Sequence, residues 1–176
     1  MAVTSKKMNQ KKASYLLVIL FMLVVFIITL FISRQMNKQY SIHSISGESM
    51  IPTLMDGEKV LIKKCVQVKR YDMIAFSLAK EKGLFVKRVI GLPGDALIIQ
   101  NNRLILNLGE PADFETVSEF QLTPTIAAEF QPLNQIPEDV YFVVGDHLAV
   151  SKDSRTFGFV QKKAIKGKVQ ANFAKF

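Results

Sequence analysis

From Tyr15 to Ser33 the chain reads YLLVILFMLVVFIITLFIS, 19 residues without a charge. About 20 apolar residues rising ~1.5 Å each cross a hydrocarbon core ~30 Å thick, so a transmembrane helix is expected here. A cleaved secretory leader would carry only about 7 to 15 apolar residues and end in small ones. Ser33-Arg34-Gln35-Met36-Asn37 offers no such ending. Beyond it the pattern changes to short runs of Val, Ile and Phe. They are separated by Asp56-Gly57, Lys82-Gly83, Pro93-Gly94-Asp95, Asn101-Asn102, Leu108-Gly109 and Gly145-Asp146. Short apolar runs between tight turns read as antiparallel strands. Strands are expected over Ser41 to Ile45, Lys59 to Lys63, Met73 to Ser77, Leu84 to Ile90, Ala96 to Gln100, Leu104 to Leu106, Val140 to Val144 and Ala164 to Asn172. The expected fold class is mostly β, an antiparallel β-sheet domain behind one N-terminal transmembrane helix.

A chain of 176 residues leaves room for one globular domain. The expected division is a basic leader over 1–14, the helix over 15–33 and a β-rich domain over 34–176. Within that domain, 109–137 holds Pro111, Pro124, Pro132 and Pro137 and reads as an insertion or small cap rather than core. Lys6, Lys7, Lys11 and Lys12 precede the helix without an acid among them, and only Arg34 and Lys38 follow it closely. Positive flanks stay on the cytoplasmic side, so a cytoplasmic N-terminus and an extracytoplasmic domain are expected in the cell membrane.

Those leader lysines also supply four of the net +8 charges, which removes the argument for a nucleic-acid partner. No Lys or Arg occurs from Leu104 through Ser151, whereas Lys162, Lys163, Lys166 and Lys168 crowd the C-terminal end. Either these lysines face anionic lipid or they form a solvated charged face. Cys65 is alone and reads as structural. His43 and His147 without paired cysteines lack zinc-ligand spacing, and no glycine-rich phosphate loop is present. Neither a metal nor a cofactor is implied.

Three strings carry chemistry. Ser46-Gly47-Glu48-Ser49-Met50-Ile51-Pro52-Thr53-Leu54 follows a short strand and could present a serine, although Ser and Gly in a turn are commonly structural. Phe85-Val86-Lys87-Arg88-Val89-Ile90-Gly91-Leu92-Pro93-Gly94-Asp95 is a strand running into a turn, with Lys87 on the face of Phe85 and Val89. An edge lysine with its stem on apolar neighbours is one reading. The other is a desolvated amine whose pKa falls about 2 to 3 units below ~10.4, which asks about 3 to 4 kcal/mol. Arg88 is equally flanked, so alternation leaves open which of the two is buried, and an arginine could not act as the base. The third string, Gly145-Asp146-His147-Leu148-Ala149-Val150-Ser151-Lys152-Asp153-Ser154-Arg155-Thr156-Phe157-Gly158, follows an apolar strand.

Taken in order behind an N-terminal span, Ser-Met-x-Pro-Thr, Lys-Arg-Val with Pro-Gly-Asp, and Gly-Asp followed by Ser-x-Asp-Ser-Arg resemble the signature boxes of type I signal peptidases of the Gram-positive kind. The resemblance implies a membrane serine endopeptidase that removes signal peptides from exported preproteins at the outer membrane surface after Ala-x-Ala. It implies Ser49 as nucleophile and Lys87 as general base of a Ser-Lys dyad, working through an acyl-enzyme. Ser151 would hydrogen-bond the Lys87 amine, Asp153 and Arg155 would pair to hold their loop, and the Ser49 N–H would face the oxyanion. Ile45, Met50, Leu54, Phe85 and Val86 would line shallow pockets for small side chains. The implied partners are preprotein signal peptides and the lipid bilayer. The chain departs from the boxes at Gly47, where some members place a hydroxyl, at His147, commonly Asn, and at Tyr71-Asp72, often Gly-Asp.

Rivals are weaker. Ser77-Leu78-Ala79-Lys80 satisfies Ser-x-x-Lys of β-lactamase-like enzymes, but Ser-Asp-Asn and Lys-Thr-Gly are missing. A Ser-His-Asp hydrolase lacks Gly-x-Ser-x-Gly, and a self-cleaving repressor would not carry the span. The alternative from another class is a non-catalytic, signal-peptidase-like assembly factor or chaperone, as in pilus assembly; such proteins lack the dyad.

Overall fold

The computed structural model describes residues 2–64, 67–79, 81, 83–109 and 117–172. Cys65 and Lys80, with the roles considered for them, lie outside the described residues. The chain divides into two units, Met1–Gln39 and Tyr40–Phe176. The first is helix α1, Ala2–Gln39. Its stretch Tyr15–Gln35 is long and apolar enough to cross a membrane, and none of it is buried within the protein. Large side chains such as Leu16 and Phe31 stand mostly exposed along it, which is stable only in an apolar surrounding.

The second unit is built on antiparallel pairing. Strands β1 (Tyr40–Ser44), β2 (Lys59–Lys63), β3 (Met73–Phe76) and β4 (Phe85–Gly91) precede a three-strand excursion of β5 (Leu97–Gln100), β6 (Arg103–Asn107) and β7 (Val117–Gln121). Helix α2 (Pro124–Phe130), β8 (Val140–Val144), the single-turn helix α3 (Ser154–Phe157), β9 (Val160–Gln161) and β10 (Ile165–Asn172) complete it. The larger sheet has the order β1-β2-β10-β3-β4-β8-β9, and the smaller one the order β5-β6-β7. The expected mostly β, antiparallel architecture behind an apolar helix is what the structure contains.

Each expected strand occurs, with ends shifted by up to a few residues. The additions are β7, α2 and β9. Of the stretch 109–137, residues 110–116 lie outside the described residues; within the rest, helix α2 is packed into the core, with Ile126, Ala127 and Phe130 buried against Leu104, Leu106, Ile136 and Phe142. Phe130 stacks on Phe159 with ring centroids 4.0 Å apart. At helical spacing these three side chains share one face, so a seven-residue helix closes one end of the core.

Alternation on β3 and β4 feeds two further clusters. Ala75 and Val86 join Ile45, Met50, Leu54, Val60, Ile62 and Val169, while Ile74, Phe76 and Val89 join Tyr141, Val143 and Val160. Beyond the end of β4, Arg70 donates to both oxygens of Asp95 at 2.7 and 2.8 Å and to the Ile90 carbonyl. Asp95 also accepts from the Leu92 N–H. The Pro93-Gly94-Asp95 turn is thereby fixed, and so is the strand before it. Tyr71 departs from the family's glycine although its φ is 67°, a conformation that glycine adopts without steric cost.

If α2 is core, Phe130→Ala should cost about 3 to 5 kcal/mol by denaturant unfolding of the detergent-solubilised chain. A loss within about 0.5 kcal/mol would mark the helix as a surface appendage.

Candidate active site

The loop between β1 and β2 carries Ser49. It starts by prolonging the ladder, with Ile45 N–H donating to the Glu58 carbonyl at 2.7 Å and Gly57 N–H to the Ile45 carbonyl at 3.0 Å. Gly47 then takes φ 92°, and its N–H is held by Asp56 Oδ1 at 2.7 Å. This backbone conformation accounts for the departure at 47, since a serine there would be strained. Past Ser49, Leu54 N–H donates to the Met50 carbonyl at 2.9 Å, closing a helical turn. Met50 and Leu54, each 1 % exposed, plug that turn into the core cluster beneath. The nucleophile candidate therefore rides on a buried apolar anchor.

Lys87 lies mid-β4, paired with Ile74 across the strand and sharing its face with Phe85 and Val89. It is 3 % exposed, and its Nζ is 2.5 Å from Ser49 Oγ. Burial is the largest influence on the amine and pushes its pKa down; Asp153 opposes that, Arg155 adds to it and Asp146 opposes it again, the net shift being downward. The ambiguity between Lys87 and Arg88 is resolved by a residue far along the chain. Arg88 Nε donates to Asp146 Oδ1 at 2.8 Å and its Nη2 to Oδ2 at 2.6 Å. Nη1 reaches the Tyr71 carbonyl at 2.9 Å, and Thr53 Oγ1 donates to Asp146 Oδ2 at 2.5 Å. Burial pushes the Asp146 carboxyl up, but hydrogen bonds from Arg88 and Thr53 and the Arg88 charge outweigh it and hold it below the usual range. This bidentate pair ties the Lys87 strand, the Ser49 loop and the loop after β8 together. Arg88, Asp146 and Thr53 were missed as site residues because each sits in a separate string and only the fold joins them.

The third string supplies a brace. Asp153, fully buried, accepts from the Gly145 N–H at 3.0 Å and from Arg155 through Nε at 2.8 Å and Nη2 at 2.9 Å. Burial raises its pKa, yet these donors outweigh burial and keep it ionised. Arg155 also reaches the carbonyls of Leu148 and Ser151. The His147 N–H donates to the Ser49 carbonyl at 3.1 Å, a main-chain contact that does not depend on the side chain at 147. The expected bond from Ser151 to Lys87 is not formed; the buried Ser151 hydroxyl instead helps to hold the Asp153 carboxyl low, and His147 Nδ1 is buried without a hydrogen-bond partner among the described residues. Gly145 proves more constrained than its turn position suggested, because a Cβ there would overlap Ser151 Oγ and the Ser49 carbonyl.

A cleft of about 480 Å³ opens beside Ser49 and Lys87. Ile45, Met50, Phe85 and Val86 line it, together with His43, Ser44, Ser46, Gly83 and Leu84. Leu54 does not line it, because it is occupied as a core anchor with Met50. No group of three or more potential metal ligands occurs among the described residues.

A serine hydroxyl touching a buried lysine amine on one wall of a cleft of mixed polar and apolar lining is an arrangement for acyl transfer. The family model "Signal peptidase, peptidase S26" matches residues 12–174. The chain belongs to this family. It is a serine endopeptidase of the signal peptidase class. Signal peptidase I P of Bacillus subtilis subsp. natto is 31% identical over 182 residues, covering 98% of this chain and 96% of the relative. Signal peptidase IB of Staphylococcus aureus (strain Mu50) is 35% identical over 170 residues, covering 87% and 86%. The crystal structure of a signal peptidase I from Enterococcus faecalis V583 has 28% identity and a TM-score of 0.42, covering 60% of this chain and 98% of that one.

In this peptidase the Gly145 contacts set a tolerance for the Ser49 loop. Gly145→Ala should lower kcat about 10²-fold, the order expected from misplacing a reacting group by about 1 Å, with a much smaller change in KM. Steady-state kinetics on a preprotein would read it, and an unchanged kcat would mean that the close approach is not needed.

Proposed function

We propose that Ser49 is the nucleophile and Lys87 the general base of a Ser-Lys dyad that cleaves signal peptides from preproteins at the outer face of the membrane. The observation that carries the reading is the contact between Lys87 Nζ and Ser49 Oγ in a buried setting that lowers the amine's pKa. As a neutral amine, Lys87 accepts the hydroxyl proton while Ser49 Oγ bonds to the scissile carbonyl carbon. The Ser49 N–H faces the developing oxyanion. When the C–N bond breaks, the ammonium passes its proton to the leaving amine. Water then attacks the ester with Lys87 again taking the proton, releasing the new carboxylate and restoring Ser49. The Asp153–Arg155 pair holds the loop that carries Ser151 beside the site.

Two features support an extended peptide in the cleft. Among the described residues β1 pairs only with β2, and the pairing of β4 with β8 begins at Arg88, so edges of both strands near the cleft are open to another strand. Met50 and Val86 are buried at the cleft wall, leaving little depth, which favours small side chains one and three residues before the cut. The leader lysines support a cytoplasmic N-terminus and an external catalytic unit. Holding enzyme and preprotein on one membrane surface raises their effective concentration.

The test is cleavage of a preprotein bearing an Ala-x-Ala site by the detergent-solubilised chain, beside folded Ser49→Ala and Lys87→Met. Each substitution should reduce turnover by about 10³-fold or more. Below its lowered pKa the amine is protonated and cannot accept the Ser49 proton, so activity should be lost on the acid side and rise with pH. Its midpoint should fall well below the ~10.4 of a free lysine. No cleavage by a well-folded parent would return the case to a non-catalytic assembly factor.

A further inference from the structure

The cleft contains a polar residue that pockets for small side chains leave unused. His43 lines it from β1, lies across from Val60 on the face of Ile45, and is exposed. Successive residues of a strand direct their main-chain groups to opposite sides. Ile45 directs its groups toward β2, its N–H donating to the Glu58 carbonyl at 2.7 Å and its carbonyl accepting from Gly57 at 3.0 Å. Ser44 therefore turns its N–H and carbonyl to the edge of β1 that has no partner strand among the described residues. A peptide joined to that edge meets the Ser44 main chain, flanked by the side chains of Ile45 and His43.

We propose that His43 is a specificity residue that faces the fifth side chain before the cut and favours a hydrogen-bond acceptor there, a carboxylate above all, over a cation. The inference deepens the dyad reading and rests on it. The cleft lies on the N-terminal side of both reacting residues, since 43–46 precede Ser49 and 83–86 precede Lys87. A preprotein whose scissile bond sits at Ser49 and whose preceding residues fill this cleft therefore runs parallel to β1. It advances ~3.3 Å per residue, as β1 does, and shows every second side chain to one face. The side chain before the cut sits beside Met50, next to Ser49 in the chain. The third sits beside Ile45, and the fifth beside His43, two residues further back along β1. Met50 and Ile45 are buried and offer only apolar atoms. An imidazole offers at least one N–H donor in either protonation state. No carboxylate occurs among the described residues that line the cleft, so an incoming carboxylate meets no like charge and an incoming ammonium finds no anionic partner.

The test uses preproteins that differ only at the fifth residue before an Ala-x-Ala cut, as Glu, Gln, Ala or Lys. Each is cleaved by the full detergent-solubilised chain and by its His43→Glu and His43→Ala variants. With the parent, kcat/KM should be about threefold or more higher for Glu than for Lys, the scale of a solvent-accessible charged contact. The order should reverse with His43→Glu, and the Glu-to-Lys ratio should fall toward one with His43→Ala. A loosened fold would lower cleavage of all the substrates together and could not produce the reversal. A ratio of one with the parent, or an order that His43→Glu leaves intact, would overturn the proposal. The same series placed at the fourth residue is the control, because that side chain points to the opposite face; an equal preference there would overturn the register. Cleavage without any such preference removes this inference alone, whereas no cleavage of any substrate by the folded parent removes the dyad reading and this inference with it.

Discussion

Burial of the Lys87 amine is the constraint on which the site depends. A lysine cation removed from water costs several kcal/mol unless it is paired, and the groups around Lys87 do not pair with it: the nearby carboxylates are engaged by Arg88 and Arg155. What the amine touches is a hydroxyl. The fold thus stabilises the neutral form without supplying a counter-ion, and a neutral amine against Ser49 is the form that can accept a proton. Arginine next to it in the sequence has the opposite arrangement, an ion pair with Asp146 that keeps it charged.

Such a site has to be over-determined, because Ser49 and Lys87 come from two distant stretches of chain and a third braces them. Met50 and Leu54 fix the Ser49 loop from below by apolar packing, and Arg88 with Asp146 and Thr53 crosses from the lysine strand to the loops on either side. Asp153, buried and fully engaged, ties the start of its loop at Gly145 to the end at Arg155. Two of the three departures from the family boxes become intelligible in this frame. Gly47 occupies a left-handed position that a serine would strain, and His147 contributes through its backbone. Tyr71 remains in a conformation that suits glycine better, while its carbonyl serves Arg88.

The sequence carried the main features where the physics is local. Period-two alternation and turn pairs located the long strands, and the uncharged run located the helix. It carried less where a feature is short or relational. Helix α2 spans seven residues, too few for a 3.6-residue period to stand out, and β9 spans two. Alternation treated Lys87 and Arg88 alike, because the asymmetry between them is created by Asp146, 58 residues beyond Arg88. Likewise it was the family resemblance that implied a pocket role for Leu54, whereas its helical turn with Met50 aims it into the core.

The central claim is that Lys87 is neutral because it is desolvated beside Ser49. Its most direct test is a titration of the lysine amines by NMR, using isotope-labelled side chains in the detergent-solubilised chain and Lys87→Met to assign the resonance. One lysine, absent from the Lys87→Met spectrum, should lose its proton well below the ~10.4 of an ordinary side chain. If that resonance titrates with all the others, Lys87 is a charged surface-like lysine and the account of the dyad is wrong.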